Sequence, residues 1–263
     1  MSPQETPLRI EKPEGHLYIV ADSHLDLVQA PCSEFVEMLD ALPEAQALVC
    51  LGDLFKVWLA LPKFWTNTHR EVMDAFRKLR DKGVEVVFIA GNREKLLPRE
   101  GEGNLRDPFP FSHLSLSDWR MNWGGLRLAF IHGDTINSRD LQYLRWRTVS
   151  NSIPFEAVFR VIPGPIARWI AERLEALLAK TNRELRIEFP EDEVLRFAET
   201  HLQGLDHYFV GHFHLDLEIR IDDHPGSLRL VPDWLGTRRI LRIDPQGRQA
   251  ALHFSGGELT EVA

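Results

Sequence analysis

Four strand-length apolar runs break up the polar background in the first half of the chain: HLYIVADSH (16–24), ALVCLGD (47–53), VEVVFIAGN (84–92) and LRLAFIHGD (126–134). They lack strict alternation, which predicts strands buried on both faces. The first three are separated by helical patterns, SEFVEMLDAL and TNTHREVMDAFRKLRDKG; the second has Val72, Phe76 and Leu79 on one face and stops at Gly83. Residues 96–125, rich in Pro, Gly, Ser and Asp and ending on WGG, read mostly as loop. From 139 to about 203 the pattern turns helical, with Ile166, Ile170, Leu174 and Leu177 on one face after PGP. DHYFVGHFH (206–214), LEIRID, SLRLVPDW and RRILRID follow, predicting a second sheet built of hairpins. The fold class expected is α/β: a single domain over 1–263, two packed β-sheets flanked by helices, with a helical insertion at approximately 139–203.

At 44% hydrophobic and 27% charged residues the composition is that of an ordinary soluble protein. The formal charge of −8 gives no general reason to bind nucleic acid, and no feature predicts a protein partner. Cys50 lies inside an apolar run and reads as a buried thiol, which fits a reducing cytosol. The first residues have no apolar signal core, and no window reaches the ~18 to 20 apolar residues that span a bilayer. The expected location is cytoplasmic. Charge is nevertheless uneven: Arg139 to Arg186 contains nine Lys or Arg against five acids. A basic block containing IPFEAVFRVIPGPIARWI could cover acyl chains with its apolar side while its cations meet phosphates or anionic headgroups. That allows peripheral contact with the cytoplasmic face of the inner membrane.

The chemistry sits at the ends of the apolar runs. Asp22, His24, Asp53, Asn92, His132, His212 and His214 each follow one. In open α/β sheets ligands bind beyond the carboxyl ends of the strands, so these residues could converge. Asp, Asn and His without a thiolate suit Mn²⁺, Fe²⁺, Co²⁺ or Zn²⁺. Seven ligands exceed one site. Two ions at ~3.5 to 4 Å need a bridging carboxylate and can hold a shared hydroxide aimed at phosphorus, and Asp53 is the natural bridge. His16, His69, His113, His201, His207, His224 and His253 read as ordinary surface or satisfied histidines, with His69 on a charged helix face.

DSH, GD, GN, HGD and GHFH, in this order, resemble the five blocks of the calcineurin-like metallophosphoesterases. The resemblance implies that Asp22, His24, Asp53 and His214 hold one ion and Asp53, Asn92, His132 and His212 the other, with Mn²⁺ the favoured metal. Most members place His after the Asn; this chain has Arg93. Arginine cannot act as a general acid but can fork onto phosphate oxygens. A phosphate leaving a pyrophosphate needs no proton, because its charge is already spread, so Arg93 favours a diphosphate substrate.

GNR in place of GNH is similar to the UDP-2,3-diacylglucosamine hydrolases, the pyrophosphatases of lipid A biosynthesis. GDLFKVW, HGDTINSRDLQYLRWR and LRLVPDW resemble further blocks of that family. The resemblance implies cleavage of UDP-2,3-diacylglucosamine to UMP and 2,3-diacylglucosamine 1-phosphate, with the 139–203 insertion as a lid over the acyl chains. Asn92, Arg93 and His132 would be catalytic. Arg93, Asp140, Lys180, Asn182 and Arg183 would bind the acylated UDP-sugar. The chain departs from the family at Glu94 and Lys95 (usually DF), at Lys56 (usually an acid) and at LAL 59–61 (usually GDD). Another nucleotide diphosphate or phosphodiester is the alternative substrate, and a non-catalytic binding protein on this fold is a second alternative.

Overall fold

Every strand at the centre of the molecule is apolar on both sides because it is covered on both sides. The computed structural model describes residues 8–25, 32–98, 108–139, 141–150, 152–163, 165–166, 173, 189–222 and 224–262. Its strands, in chain order, are β1 (Leu8–Ile10), β2 (His16–Val20), β3 (Ala45–Cys50), β4 (Trp58–Leu59), β5 (Glu85–Ile89), β6 (Glu94–Lys95), β7 (His113–Ser115), β8 (Trp119–Trp123), β9 (Leu126–Ile131), β10 (His207–Val210), β11 (Leu217–Arg220), β12 (Ser227–Leu230), β13 (Arg239–Ile243), β14 (Gln249–Ser255) and β15 (Glu258–Glu261). The helices are α1 (Cys32–Asp40), α2 (Asn67–Asp81), α3 (Leu141–Ser150), α4 (Ile153–Val161), α5 (Glu191–His201) and the short α6 (Trp234–Thr237).

One sheet has the order β15-β14-β13-β2-β3-β5-β7, the other β1-β8-β9-β10-β12-β11, and β4 pairs with β6 in a separate ribbon. Within the first, β2, β3, β5 and β7 are parallel; within the second, β9, β10 and β12 are parallel. The sheets share a core. Leu17, Ile19, Val49, Val87 and Ile89 of one pack with Trp123, Leu128, Phe130 and Phe209 of the other. The alternate residues Tyr18, Val20, Leu48, Cys50, Val86 and Phe88 face outward onto α1 and α2, against Phe35, Met38, Val72, Phe76 and Leu79. On the far side Ala129, Tyr208 and Val210 meet Val194, Ala198 and Leu202 of α5. A strand with covered faces has no polar side to present, hence the runs without alternation.

The reading of 96–125 holds for most of its described residues but missed two short strands, β7 and β8, and WRMNW in β8 alternates buried Trp119, Met121 and Trp123 with Arg120 and Asn122. The turn-rich flanks hid that period of two. The C-terminal strands do not form the separate sheet expected of them. The β11/β12 hairpin extends the sheet of β9 and β10, whereas β13 pairs antiparallel with β2 and brings β14 and β15 into the other sheet. Ile240 faces the α1/α2 side and Leu241 and Ile243 the shared core, so β13 has two faces to bury.

Of the expected helical stretch at 139–203, α3, α4 and α5 are described, and α5 packs on β9 and β10 as a layer of the sandwich; Ile170, Leu174 and Leu177 lie outside the described residues, and Ile166 is exposed. The seat of α4 explains a departure noted in the sequence. Leu59 and Leu61 of LAL, with Phe64 and Leu96, pack against Phe155, Phe159 and Ile162. Lys63 Nζ donates to Arg160 O at 2.7 Å and Ile162 O at 3.1 Å, satisfying carbonyls at the C-terminal end of α4. An acidic stretch at 59–61 could not make that apolar contact.

His69 also departs from its expected place. It is buried, and its ring packs 4.5 Å from that of Phe55. Thr66 and His69 form a reciprocal capping box at the start of α2, with His69 Nδ1 accepting the Thr66 N–H at 3.0 Å. Burial, with a smaller contribution from Arg70, lowers its pKa from 6.5 to about 4. The unfolded chain therefore takes up a proton that the folded chain refuses between those values. Stability should fall as pH drops below 6.5 and level off near pH 4, by at most about 3 kcal/mol. Urea melts of the wild type and of His69→Gln across that range check this: the acid-side slope should be shallower in the variant.

Candidate metal centre

Five loops leave the carboxyl ends of parallel strands at the same end of the sandwich. Asp22 and His24 follow β2, Asp53 follows β3, Asn92 and Arg93 follow β5, His132 follows β9, and His212 and His214 follow β10. The first three strands belong to one sheet and the last two to the other, so the expected single sheet edge is in fact the shared end of two sheets. Cross-sheet bonds hold the ends together. His212 N donates to Asp22 Oδ2 at 2.7 Å, and His132 Nδ1 donates to Leu51 O at 2.7 Å, turning Nε2 toward the cluster.

The backbone is bent to do this. Asp22, His24, Asp53, His212 and His214 all have positive φ, between 42° and 66°, and they are five of the eight non-glycine residues with positive φ among those described. Left-handed backbone costs an L-residue roughly 1 kcal/mol or more. Its concentration at one site means the packing enforces it there. Glycine supplies the rest: a Cβ on Gly91 would lie 2.4 Å from Asp53 Oδ1 and 2.9 Å from His132 Cε1.

All seven predicted residues come together. His24 Nε2 lies 3.3 Å from His214 Nε2, and Asp22 Oδ1 lies 3.4 Å and 3.8 Å from the Nε2 atoms of His214 and His24. His132 Nε2 is 3.6 Å from Asp53 Oδ1 and 3.0 Å from the Asn92 amide. That amide also lies 3.2 Å from both Asp53 Oδ2 and His212 Nδ1. Two groupings have ligand atoms mutually within 4.8 Å: Asp22, His24 and His214, and Asp22, Asp53 and His132.

The donor set fits divalent cations on this structure's own terms. Asp22 is fully buried, and its Oδ1 has no hydrogen-bond partner although it faces two imidazoles. A buried carboxylate oxygen in that state calls for a cation. The histidines register the same field. Burial opposes charge on His132, but Asp53, Asp22 and Asp134 outweigh it and raise its pKa to about 9. Burial likewise opposes charge on His214, but the Asp22 carboxylate 3.4 Å away prevails and raises it. His212, where burial dominates and His132 adds to it, is lowered to about 4, and His24 is lowered by burial. Burial would raise Asp22, yet His214, His132 and His24 hold it well below the usual carboxylate range.

Arg93 faces this cluster. Its backbone N–H donates to Asp53 Oδ1 at 2.8 Å, and its Nε lies 3.7 Å from Asp53 Oδ2 with the side chain 15% exposed. Asp140, Lys180, Asn182 and Arg183, expected to bind substrate, lie outside the described residues. Sequence reasoning missed two supports. Asp134 of the HGD block pairs with Arg147 of α3 at 2.8 Å, tying that helix to the loop of His132. Glu94, read only as a departure, is a buried carboxylate that accepts backbone N–H groups from two of the loops. Its signal was an acid directly beside GNR at a strand tip.

Two stacked sheets whose parallel strands deliver carboxylates, an amide and imidazoles to one end are the architecture of a metal-dependent phosphoester hydrolase. The Calcineurin-like phosphoesterase family matches residues 15–216, and the chain belongs to that family. UDP-2,3-diacylglucosamine hydrolase of Pseudomonas putida is 26% identical over 259 residues, covering 89% of this chain and 98% of the relative. The enzyme of that name from Edwardsiella ictaluri is 28% identical over 235 residues, covering 87% and 88%. The structure of vacuolar protein sorting 29 from Cryptosporidium parvum aligns with a TM-score of 0.48 at 9% identity, over 94% of this chain and 95% of that one.

Gly91→Ala tests the packing of the centre. The new methyl would force Asp53 and His132 apart, so metal content at fixed Mn²⁺ should fall ~10-fold or more, with a stability loss of ~1 to 3 kcal/mol from overpacking. Elemental analysis and thermal melts read the two effects, and unchanged metal content would show that the loops do not need this contact.

Proposed function

We propose that the protein hydrolyses the pyrophosphate bond of UDP-2,3-diacylglucosamine, releasing UMP and 2,3-diacylglucosamine 1-phosphate. The observation that carries this reading is Arg93, an arginine facing the cluster beside Asp53 where a proton donor is otherwise expected. The relatives named for this reaction, matched over most of their length, support the same substrate.

Asp22, His24, Asp53 and His214 would hold one divalent ion and Asp53, Asn92, His132 and His212 a second, with Mn²⁺ favoured over Fe²⁺, Co²⁺ and Zn²⁺. Such ions supply neutralisation of phosphoryl oxygens and a lowered pKa for the attacking water. The protein groups do the rest. His132 is held by Leu51 O so that Nε2 points inward. Asp53 is oriented by the Arg93 N–H. As water oxygen bonds to the uridine-side phosphorus and gives up its proton to solvent, the bond to the bridging oxygen breaks and its electron pair leaves with the sugar phosphate. Arg93 stabilises that spreading charge, and no proton is required of it.

Substrate contacts from Arg93, Asp140, Lys180, Asn182 and Arg183, and acyl coverage by the 139–203 insertion, belong to the same reading. A cavity of about 100 Å³ adjoins Gly91 and Glu94, walled by Leu96, Leu97, Leu116 and Arg147. It sets apolar surface beside the centre, which supports a substrate with an apolar part. Leu141, Val149, Val158 and Val161 are exposed on α3 and α4, and no helix among the described residues is long and apolar enough to cross a membrane. Those exposed residues and the basic surplus of 139–186 support peripheral contact with an anionic surface. Vesicle sedimentation should show more binding to anionic than to neutral lipid, and equal binding would remove that part.

The reaction is tested by mass spectrometry of products with Mn²⁺. UMP and the lipid phosphate are expected, and an active enzyme that yields neither from this substrate has another one. Arg93→Ala should lower kcat ~10²- to 10³-fold with metal content unchanged, because Arg93 is not a ligand. Parallel loss of metal would overturn its role.

A further inference from the structure

We propose that Glu94 is a positioning residue: its side chain sets the spacing between the Asp53 loop and the Gly91–Asn92 loop, and through that spacing the affinity for the cation that Asn92 would hold. The proposal rests on the assignment of Asp53 and Asn92 as ligands.

Glu94 is 3% exposed, in a place where a carboxylate must be compensated. Among the described residues it forms no ion pair within 4 Å; backbone N–H groups hold it. Its Oε2 accepts from Gly91 N at 2.7 Å and from Asp53 N at 2.9 Å, and its Oε1 accepts from Leu54 N at 2.9 Å. Those three N–H groups come from two loops roughly forty residues apart in sequence, one carrying Asp53 and the other Asn92. With both oxygens engaged, Glu94 is a brace between ligands and not a ligand. It belongs to neither close grouping of potential metal ligands.

The residue type follows from the geometry. Three donors converge, and a carboxylate offers lone pairs on both oxygens. Glutamine would keep one acceptor and turn an NH₂ group toward a backbone N–H. Aspartate is shorter by one methylene, about 1.5 Å of chain, and could not reach both loops unless they closed on it. Glu94 is itself fixed from below: it pairs with Trp58 in the β4/β6 ribbon, and Trp58 N donates to Arg93 O at 3.0 Å. The same ribbon carries Leu59, which packs under α4. The brace therefore connects the ligand loops to a rigid floor. Second-sphere groups of this kind alter metal affinity by ~10- to 100-fold.

The test is Mn²⁺ binding to the full chain, followed by electron paramagnetic resonance, for the wild type, Glu94→Gln and Glu94→Asp. Asp244→Asn is the control: Asp244 is another buried carboxylate that accepts backbone N–H groups, from Gln246 and Arg248. It follows Ile243, which pairs with Leu17 near the start of β2, away from the ligand loops. The wild type should take two Mn²⁺. Glu94→Gln should weaken one of them ~10- to 100-fold and the other less, and Glu94→Asp should fall between. Asp244→Asn should melt lower with both affinities unchanged. The proposal is overturned if both Glu94 variants bind as the wild type does, or if they lose both ions equally and only in step with their melting temperature. Should Glu94→Gln not fold, Glu94→Asp decides by the same criteria. A wild type that takes fewer than two ions would instead remove the ligand assignment, a distinguishable failure.

Discussion

Buried negative charge without matching positive charge is the constraint around which this molecule is arranged. Asp22 and Asp53 sit at the tips of adjacent parallel strands with almost no exposure to water. Leaving such carboxylates uncompensated costs several kcal/mol each. Imidazoles from the opposite sheet, a backbone N–H from His212 and another from Arg93 offset part of that cost. The orphaned Oδ1 of Asp22 shows that the protein does not complete it. At a centre left incomplete in this way divalent cations and protons would compete for the same donors, because His132 and His214 would have to give up the charge that the carboxylates induce.

The sandwich makes such a centre sustainable. Strands covered on both faces cannot shift register without exposing apolar surface, so the loops at their ends are anchored to fixed points. Only rigid anchors can hold Asp22, His24, Asp53, His212 and His214 in left-handed backbone, each of which would relax if its loop were free. Gly91 allows the Asn92 loop to approach Asp53 without a side chain between them.

The departures from the family pattern turn out to be connected. Leu59 and Leu61 receive Phe155 and Phe159 of α4, and Lys63 holds the end of that helix. The strand that carries Leu59 pairs with the strand that carries Glu94 and Lys95. The residue beside Arg93 that looked like a loss of the motif is a carboxylate engaged with three backbone donors. Changes at 59–61 and 94 thus fall on or beside one ribbon between α4 and the loops that carry Asp53 and Asn92.

The sequence by itself determined the strands buried on both faces, the α2 face of Val72, Phe76 and Leu79, and seven side chains at strand ends, because these are local properties of spacing and residue type. It could not assign strands to sheets. Whether β13 joins β2 or follows the hairpin of β11 and β12 depends on which partner completes a two-sided core, a long-range choice with no local signature. Period-two β8 was hidden among turn residues for a similar reason: its burial comes from the sheet opposite. The burial of His69 and the bracing by Glu94 also required the tertiary structure, since whether a polar side chain is solvated or spent on backbone N–H groups depends on what folds over it.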